Sequence, residues 1–267
     1  MSSALLHGWS QVAKPLVGML HLPALPGSPR HALPMDQIER AVLRDADALL
    51  EGGIHGLLIE NFSDVPFYPD RVPAHTISHM TALACAVKRR FNAPLGINVL
   101  RNDGLSALAV AHAAGAQFIR VNVLCGARVA DQGILQGIAH DLLRYRAQLR
   151  ADVKIFADVN VKHSAPLGPY SPQAEVQDTI ERGLADALIV SGVGTGKAVD
   201  LEGLKIVKAA AGRTPVFLGS GVGAQNVKAY LPHADGFIVG TSLKVDGVST
   251  HPVDVRRVKE LVQALCG

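Results

Sequence analysis

The chain has 267 residues, of which 48% are hydrophobic and 18% charged, with a net charge of +3. This is too long for a disulfide-stapled mini-protein and too apolar for a disordered chain. Aromatic residues make up 4%, so the core is expected to be aliphatic, with buried parallel strands under Ala- and Leu-rich helices.

Strand-type runs and helical patterns alternate from end to end. The predicted strands are Pro15–Leu22, Gly56–Asn61, Leu95–Leu100, Phe118–Val123, Lys154–Val161, Ala187–Gly192, Pro215–Gly221 and Gly236–Leu243. Between them, Asp36–Leu50 carries Ile38, Val42, Ala46 and Leu49 at helical spacing, with Glu39, Arg40, Arg44 and Asp47 on the other face. Thr76–Phe91, Gly104–Ala114, Asp131–Leu149, Pro172–Leu184, Asp200–Ala211, a short Ala224–Tyr230 and Pro252–Leu265 complete the predicted helices. Eight strand-then-helix units in one series predict an α/β protein, a single-domain (β/α)8 TIM barrel. A doubly wound sheet is the rival fold, but no Gly-x-Gly-x-x-Gly follows the first strand. Gly192-Val193-Gly194-Thr195-Gly196-Lys197 is a glycine loop of neither Rossmann nor P-loop spacing. Long βα loops are expected near residues 23–34, 62–75 and 162–171, all leaving the C-terminal ends of strands.

Charge and cysteines narrow the partners. The basic cluster Lys88-Arg89-Arg90 ends a predicted helix, where cations complement the dipole, so no nucleic-acid partner is expected. Cys85, Cys125 and Cys266 are too scattered for a disulfide framework or a zinc knuckle. With neither a signal peptide nor an integral membrane segment read from the sequence, a cytoplasmic location is expected.

Barrel side chains alternate between interior and helix shell. In the fifth strand Phe156, Asp158, Asn160 and Lys162 share one face, while Ile155, Ala157, Val159 and Val161 share the other. The apolar set meets the helices, so the polar set should point inward. Other strand ends are polar too: His21, Glu60, Asn98, Arg120 with Asn122, Ser191, Ser220 and Thr241. One polar end is what an active-site mouth requires, although an internal hydrogen-bonded layer would read the same way. After strands seven and eight, Gly219-Ser220-Gly221 and Gly240-Thr241-Ser242 let backbone N–H groups approach an anion. A short helix near Ala224 would add its dipole, Gly194 would contribute from the preceding loop, and Lys197 and Lys244 would add charge. This matches the phosphate-binding corner common in barrels, although glycines that simply make tight βα turns would read the same way.

The run Gly18-Met19-Leu20-His21-Leu22-Pro23-Ala24-Leu25-Pro26-Gly27-Ser28-Pro29 resembles the opening signature of the BtpA/SgcQ family. Ile59-Glu60-Asn61, Gly96-Ile97-Asn98-Val99-Leu100-Arg101-Asn102, Ala157-Asp158-Val159-Asn160-Val161-Lys162-His163 and Gly240-Thr241-Ser242-Leu243-Lys244 with Pro252-Val253-Asp254 extend the resemblance over nearly the whole chain. The resemblance implies a barrel of the ribulose-phosphate-binding type. Members in phototrophs are linked to photosystem I biogenesis, and others are described as nucleoside or sugar-phosphate enzymes.

Two functions are therefore expected of the mouth. The first is an enzyme acting on a phosphorylated sugar or nucleoside-derived small metabolite, by isomerase, epimerase or aldolase chemistry. Asp158 or Glu60 would be the general base, Lys162 would stabilise an oxyanion or form a Schiff base, and His21 would shuttle protons. Asn98, Arg120, Asn122, Asn160 and Ser191 would orient the substrate. No cofactor is specified, although His21, Glu60 and Asp158 could together ligate a divalent metal. The alternative is a non-catalytic assembly factor for a membrane complex, with a peripheral protein partner. A homo-oligomer is expected in either case.

Overall fold

The computed structural model describes residues 5–192 and 199–266. Its strands in chain order are β1 (Leu16–His21), β2 (Gly56–Glu60), β3 (Leu95–Asn98), β4 (Phe118–Val121), β5 (Ala127–Ala130), β6 (Gly133–Gln136), β7 (Lys154–Val159), β8 (Ser164–Pro166), β9 (Ala187–Val190), β10 (Val216–Leu218) and β11 (Gly236–Val239). Eight of them close a parallel barrel in the order β1-β2-β3-β4-β7-β9-β10-β11. All eight lie within the strands expected from the sequence. The helices of the shell are α1 (Met35–Glu51), α2 (Ala74–Arg90), α3 (Gly104–Ala114), α4 (Ala139–Leu149), α5 (Pro172–Gln177), α6 (Leu201–Ala210), α7 (Val227–Tyr230) and α8 (Val255–Cys266). Among the described residues no helix is long and apolar enough to cross a membrane.

Alternation divides the core in two. Ile155, Ala157 and Val159 of β7 join Leu16, Leu57, Ile97 and Ile119 in the layer between barrel and helices. Phe156 turns inward and belongs to a second cluster with Val17, Leu58, Phe118, Ile189, Phe217 and Ile238. The single tryptophan and three of the seven phenylalanines are gathered here, which composition alone did not suggest. The Phe156 ring lies 4.6 Å from Phe118 and 5.0 Å from Phe217, centroid to centroid. Trp9, from the short 3-10 helix His7–Trp9, closes the N-terminal end of the barrel over all three rings and donates Nε1–H to the His55 carbonyl at 2.9 Å. Gly96 and Gly236 make this packing possible. A Cβ on Gly96 would lie 2.2 Å from the Phe118 ring, and one on Gly236 would lie 2.4 Å from the Phe217 ring.

Two helix boundaries differ from expectation. The segment read as a helix from Asp131 is partly β-structure. β5 and β6 form an antiparallel hairpin about Asp131-Gln132, β8 pairs with β5, and α4 starts only at Ala139. Gly133, at φ +99°, and Gly137 explain the change, since each costs about 1 kcal/mol inside a helix. The short helix expected near Ala224 begins at Val227. Pro172–Leu184 is helical as expected but passes into a π-turn over Asp178–Arg182.

Candidate functional site

Strand register builds the site floor. His21 pairs with Glu60, Glu60 with Asn98, and Asn98 with Arg120, which sets four polar residues side by side on β1 to β4. They occupy the layer above the aromatic plug because each follows an inward residue by two positions.

Within that layer Arg120 and Asp158 form a buried pair. Arg120 Nε and Nη2 donate to the two carboxylate oxygens of Asp158 at 3.0 and 2.8 Å. Asn122 Nδ2 adds a bond of 2.6 Å and Ser191 Oγ one of 3.3 Å. Burial opposes the Arg120 charge, but Asp158 outweighs it and lifts the guanidinium above the ordinary arginine range. Asp158, Ser191 and Asn98 thus form a hydrogen-bonded layer under the mouth, with Asn98 Nδ2 donating to the Arg120 carbonyl at 3.2 Å.

Above this layer lies a cavity of two lobes. The inner lobe, about 300 Å³, is walled by the loops after β10 and β11. The outer lobe, about 610 Å³, lies under the loops after β1 and β2. His21, Glu60, Arg120 and Lys162 line both lobes and so stand at their junction. Asn122 reaches the outer lobe, and its buried Oδ1 has no hydrogen-bond partner.

The junction residues have distinct chemistry. Burial pushes the His21 imidazole down to about 4, against the opposing pull of Glu60, so it is neutral near pH 7. Its Nδ1–H donates to the Ser249 carbonyl at 3.1 Å, which leaves the Nε2 lone pair 3.9 Å from Glu60 Oε1. The ring stacks on Phe62 at 4.2 Å. Glu60 is buried but accepts no hydrogen bond on its carboxylate from the described residues. Burial pushes Lys162 below the ordinary lysine range, with Arg120 adding to the shift and Glu60 and Asp158 opposing it.

The inner lobe gathers Gly219, Ser220, Gly221, Gly240, Thr241 and Ser242. Gly221 has φ +67°, a conformation that favours glycine. A side chain at Gly240 would place Cβ 2.9 Å from His21 Cε1, so glycine keeps the corner open. Thr241 and Ser242 open a one-turn 3-10 helix, Thr241–Leu243, and their N–H groups have no acceptor within it. Their hydroxyls are already engaged, Thr241 Oγ1 with Ser249 Oγ at 2.9 Å and Ser242 Oγ with the Val222 carbonyl at 2.6 Å. What the corner offers is therefore backbone N–H.

Several expected residues lie elsewhere. Asn160 adopts φ +53°, is exposed, and accepts from Arg128 Nη2 at 2.7 Å, so β-alternation stops before it. Lys244 does not charge the corner. It is buried against α1, with Nζ 2.8 Å from Asp45 Oδ2. Gly194 and Lys197 lie outside the described residues. The described residues contain no cluster of three His, Cys, Asp or Glu able to hold a metal. Asp158, held in the Arg120 fork, is not available to join His21 and Glu60 as a ligand. Arg257 of α8, which sequence reasoning missed, lines the inner lobe. Two arginines in the first turn of α8, where the dipole disfavours cations, are the sequence signal by which it could have been found.

Comparison with known proteins gives the same fold and a family. A sequence model described as the BtpA family matches residues 12–266. The chain is 45% identical over 250 residues to an uncharacterized protein of Thermococcus kodakarensis, covering 94% of each. It is also 45% identical over 255 residues to the photosystem I biogenesis protein BtpA of Synechocystis, covering 96% of this chain and 89% of the relative. Among solved structures, phosphoribosyl anthranilate isomerase from Thermus thermophilus shares the fold, with a TM-score of 0.53, 13% identity, and coverage of 94% of this chain and 98% of that one.

Proposed function

The chain belongs to the BtpA family, and from that premise and the geometry of the mouth we propose that it is an enzyme acting on a phosphorylated sugar or nucleoside-derived small metabolite. The two-lobed cavity with His21, Glu60, Arg120 and Lys162 at its junction is the observation that carries this reading. A phosphate in the inner lobe, held by the N–H groups of Gly221, Thr241 and Ser242, sets the rest of the substrate across the junction into the outer lobe.

The chemistry is proton transfer beside a carbonyl, as in an isomerase, epimerase or aldolase. Glu60, whose carboxylate accepts no hydrogen bond from the described residues, takes the proton. The charges of Lys162 and Arg120 stabilise the oxyanion that develops. Neutral His21 accepts a hydrogen bond from a substrate hydroxyl at Nε2, and Asn122 Oδ1 accepts another. Asp158 is a positioning residue that fixes the Arg120 fork.

The test is thermal stabilisation by sugar phosphates and nucleotides, followed by exchange of substrate C–H for solvent deuterium. Gly240→Val should abolish the thermal shift by filling the corner. Glu60→Gln should keep the shift and slow exchange by about 10²–10⁴-fold. A wild-type protein stabilised by no phosphorylated ligand would overturn the reading. That outcome favours an assembly role instead, the reading supported by the biogenesis name of the Synechocystis relative.

A further inference from the structure

Arg101 is 4% exposed and lines the outer lobe. One of its nitrogens, Nη2, donates to the Lys162 carbonyl at 2.5 Å. Its Nε is buried without any hydrogen-bond partner among the described residues. Among the described residues no carboxylate stands within ion-pair distance of it. The other strongly buried arginine of the floor, Arg120, is held in the two-pronged grip of Asp158. A guanidinium at such depth with no ion-pair partner is costly, by several kcal/mol in general, and a ligand that supplies negative charge against it offsets that cost.

The surroundings point the same way. Lys162, beside Arg101, also has no hydrogen bond or ion pair to its ammonium among the described residues. Arg30 and Arg44 stand at the rim of the same lobe. Of the two carboxylates that line it, Asp45 is tied to Lys244 and Arg44, and Glu60 accepts no hydrogen bond from the described residues. The lobe therefore holds an excess of positive charge, and of its two most buried cations Arg120 is paired with Asp158 while Arg101 has no ion-pair partner among the described residues.

We infer that the substrate carries a second anionic group, a carboxylate or a second phosphate, which enters the outer lobe and is bound by Arg101 while the first phosphate occupies the corner after β10 and β11. This rests on the phosphate reading above and narrows it to doubly anionic metabolites with the reacting carbon between the two charges. Arg101 is then a specificity-determining residue. Its planar fork suits two-point recognition of a carboxylate or phosphate, with Nε as one of the donors.

The test uses matched pairs of ligands on the full-length protein, read by calorimetry and thermal shift. Glucose 6-phosphate against 6-phosphogluconate asks for a carboxylate, and fructose 6-phosphate against fructose 1,6-bisphosphate asks for a second phosphate. At least one doubly anionic member should bind about tenfold or more tightly than its partner. Arg101→Met should remove that advantage, leave the singly phosphorylated ligands unchanged, and hold or raise Tm, because an unpaired buried charge is gone. Equal affinity within both pairs, with Gly240→Val still abolishing binding, overturns the second anion site and leaves the phosphate corner standing. Arg101→Met that lowers Tm and weakens every ligand alike makes Arg101 a brace for the Lys162 carbonyl and overturns the proposal. Failure of every phosphate compound to bind the wild type overturns both.

Discussion

Asp158 and Glu60 are both carboxylates buried on barrel strands, yet Asp158 accepts four hydrogen bonds and Glu60 accepts none from the described residues. Removing Asp158 strands the Arg120 charge, so Asp158→Ala should cost about 3–5 kcal/mol of stability, and adding Arg120→Met should recover most of it. Glu60→Gln breaks no hydrogen bond and should change stability by under about 1 kcal/mol. Urea denaturation of the three variants checks this; equal destabilisation at Asp158 and Glu60 would refute the division of roles. The consequence for function is direct, since lost turnover in Asp158→Ala would report a damaged floor and not a missing base. His21, Glu60 and Arg120 stood out in the sequence as polar residues toward the ends of predicted strands, and all three line both lobes. Which carboxylate is free was not legible, because it depends on partners distant in sequence, such as Arg120, 38 residues from Asp158. Lys244 misled for the same reason, since its partner Asp45 is 199 residues away.

The accessory sheet of β5, β6 and β8 is the element that sequence reasoning missed. The Asp131–Leu149 pattern is amphipathic only from Ala139 onward, and Gly133 and Gly137 in its first part were the turn signals. Arg128 anchors this sheet to the barrel. Its Nε donates to Ser164 Oγ at 2.7 Å and its Nη2 to Asn160 Oδ1 at 2.7 Å, while Nη1 lies 3.5 Å from Glu175 Oε1. Tyr170 completes the cluster, with its OH donating to Glu175 Oε2 at 2.8 Å and its ring 5.6 Å from the guanidinium. The chain from β7 to β8 carries Lys162 between these anchors. Arg128→Ala should therefore raise hydrogen exchange across 127–136 and 164–166 while leaving the barrel strands protected, because the sheet opens as a local unit. Ligand affinity should fall with it through Lys162. Unchanged exchange in the accessory sheet would show that the hairpin holds itself in place.

Across the whole molecule, stability and chemistry sit at opposite ends of one barrel. The N-terminal end is closed by Trp9 over Phe118, Phe156 and Phe217, an apolar plug with no charge in it. The C-terminal end carries the polar row from His21 to Arg120 and the open glycine corner. Such a division is how the barrel fold accommodates a costly polar mouth, since the burial that offsets it lies in a separate layer. Eight alternating units made this architecture readable from the sequence, whereas the plug was not, because Trp9 precedes the first strand and nothing local shows that it folds beneath the barrel. Trp9→Ala should remove a buried side chain that touches three rings and should cost about 3–5 kcal/mol. Binding of a phosphorylated ligand, measured at a temperature where the variant is still folded, should stay within about twofold of the wild type, a change of under about 0.5 kcal/mol. If affinity instead falls in step with stability, the aromatic plug and the mouth form one coupled unit, and the layer between them, Arg120 with Asp158, is the link that joins them.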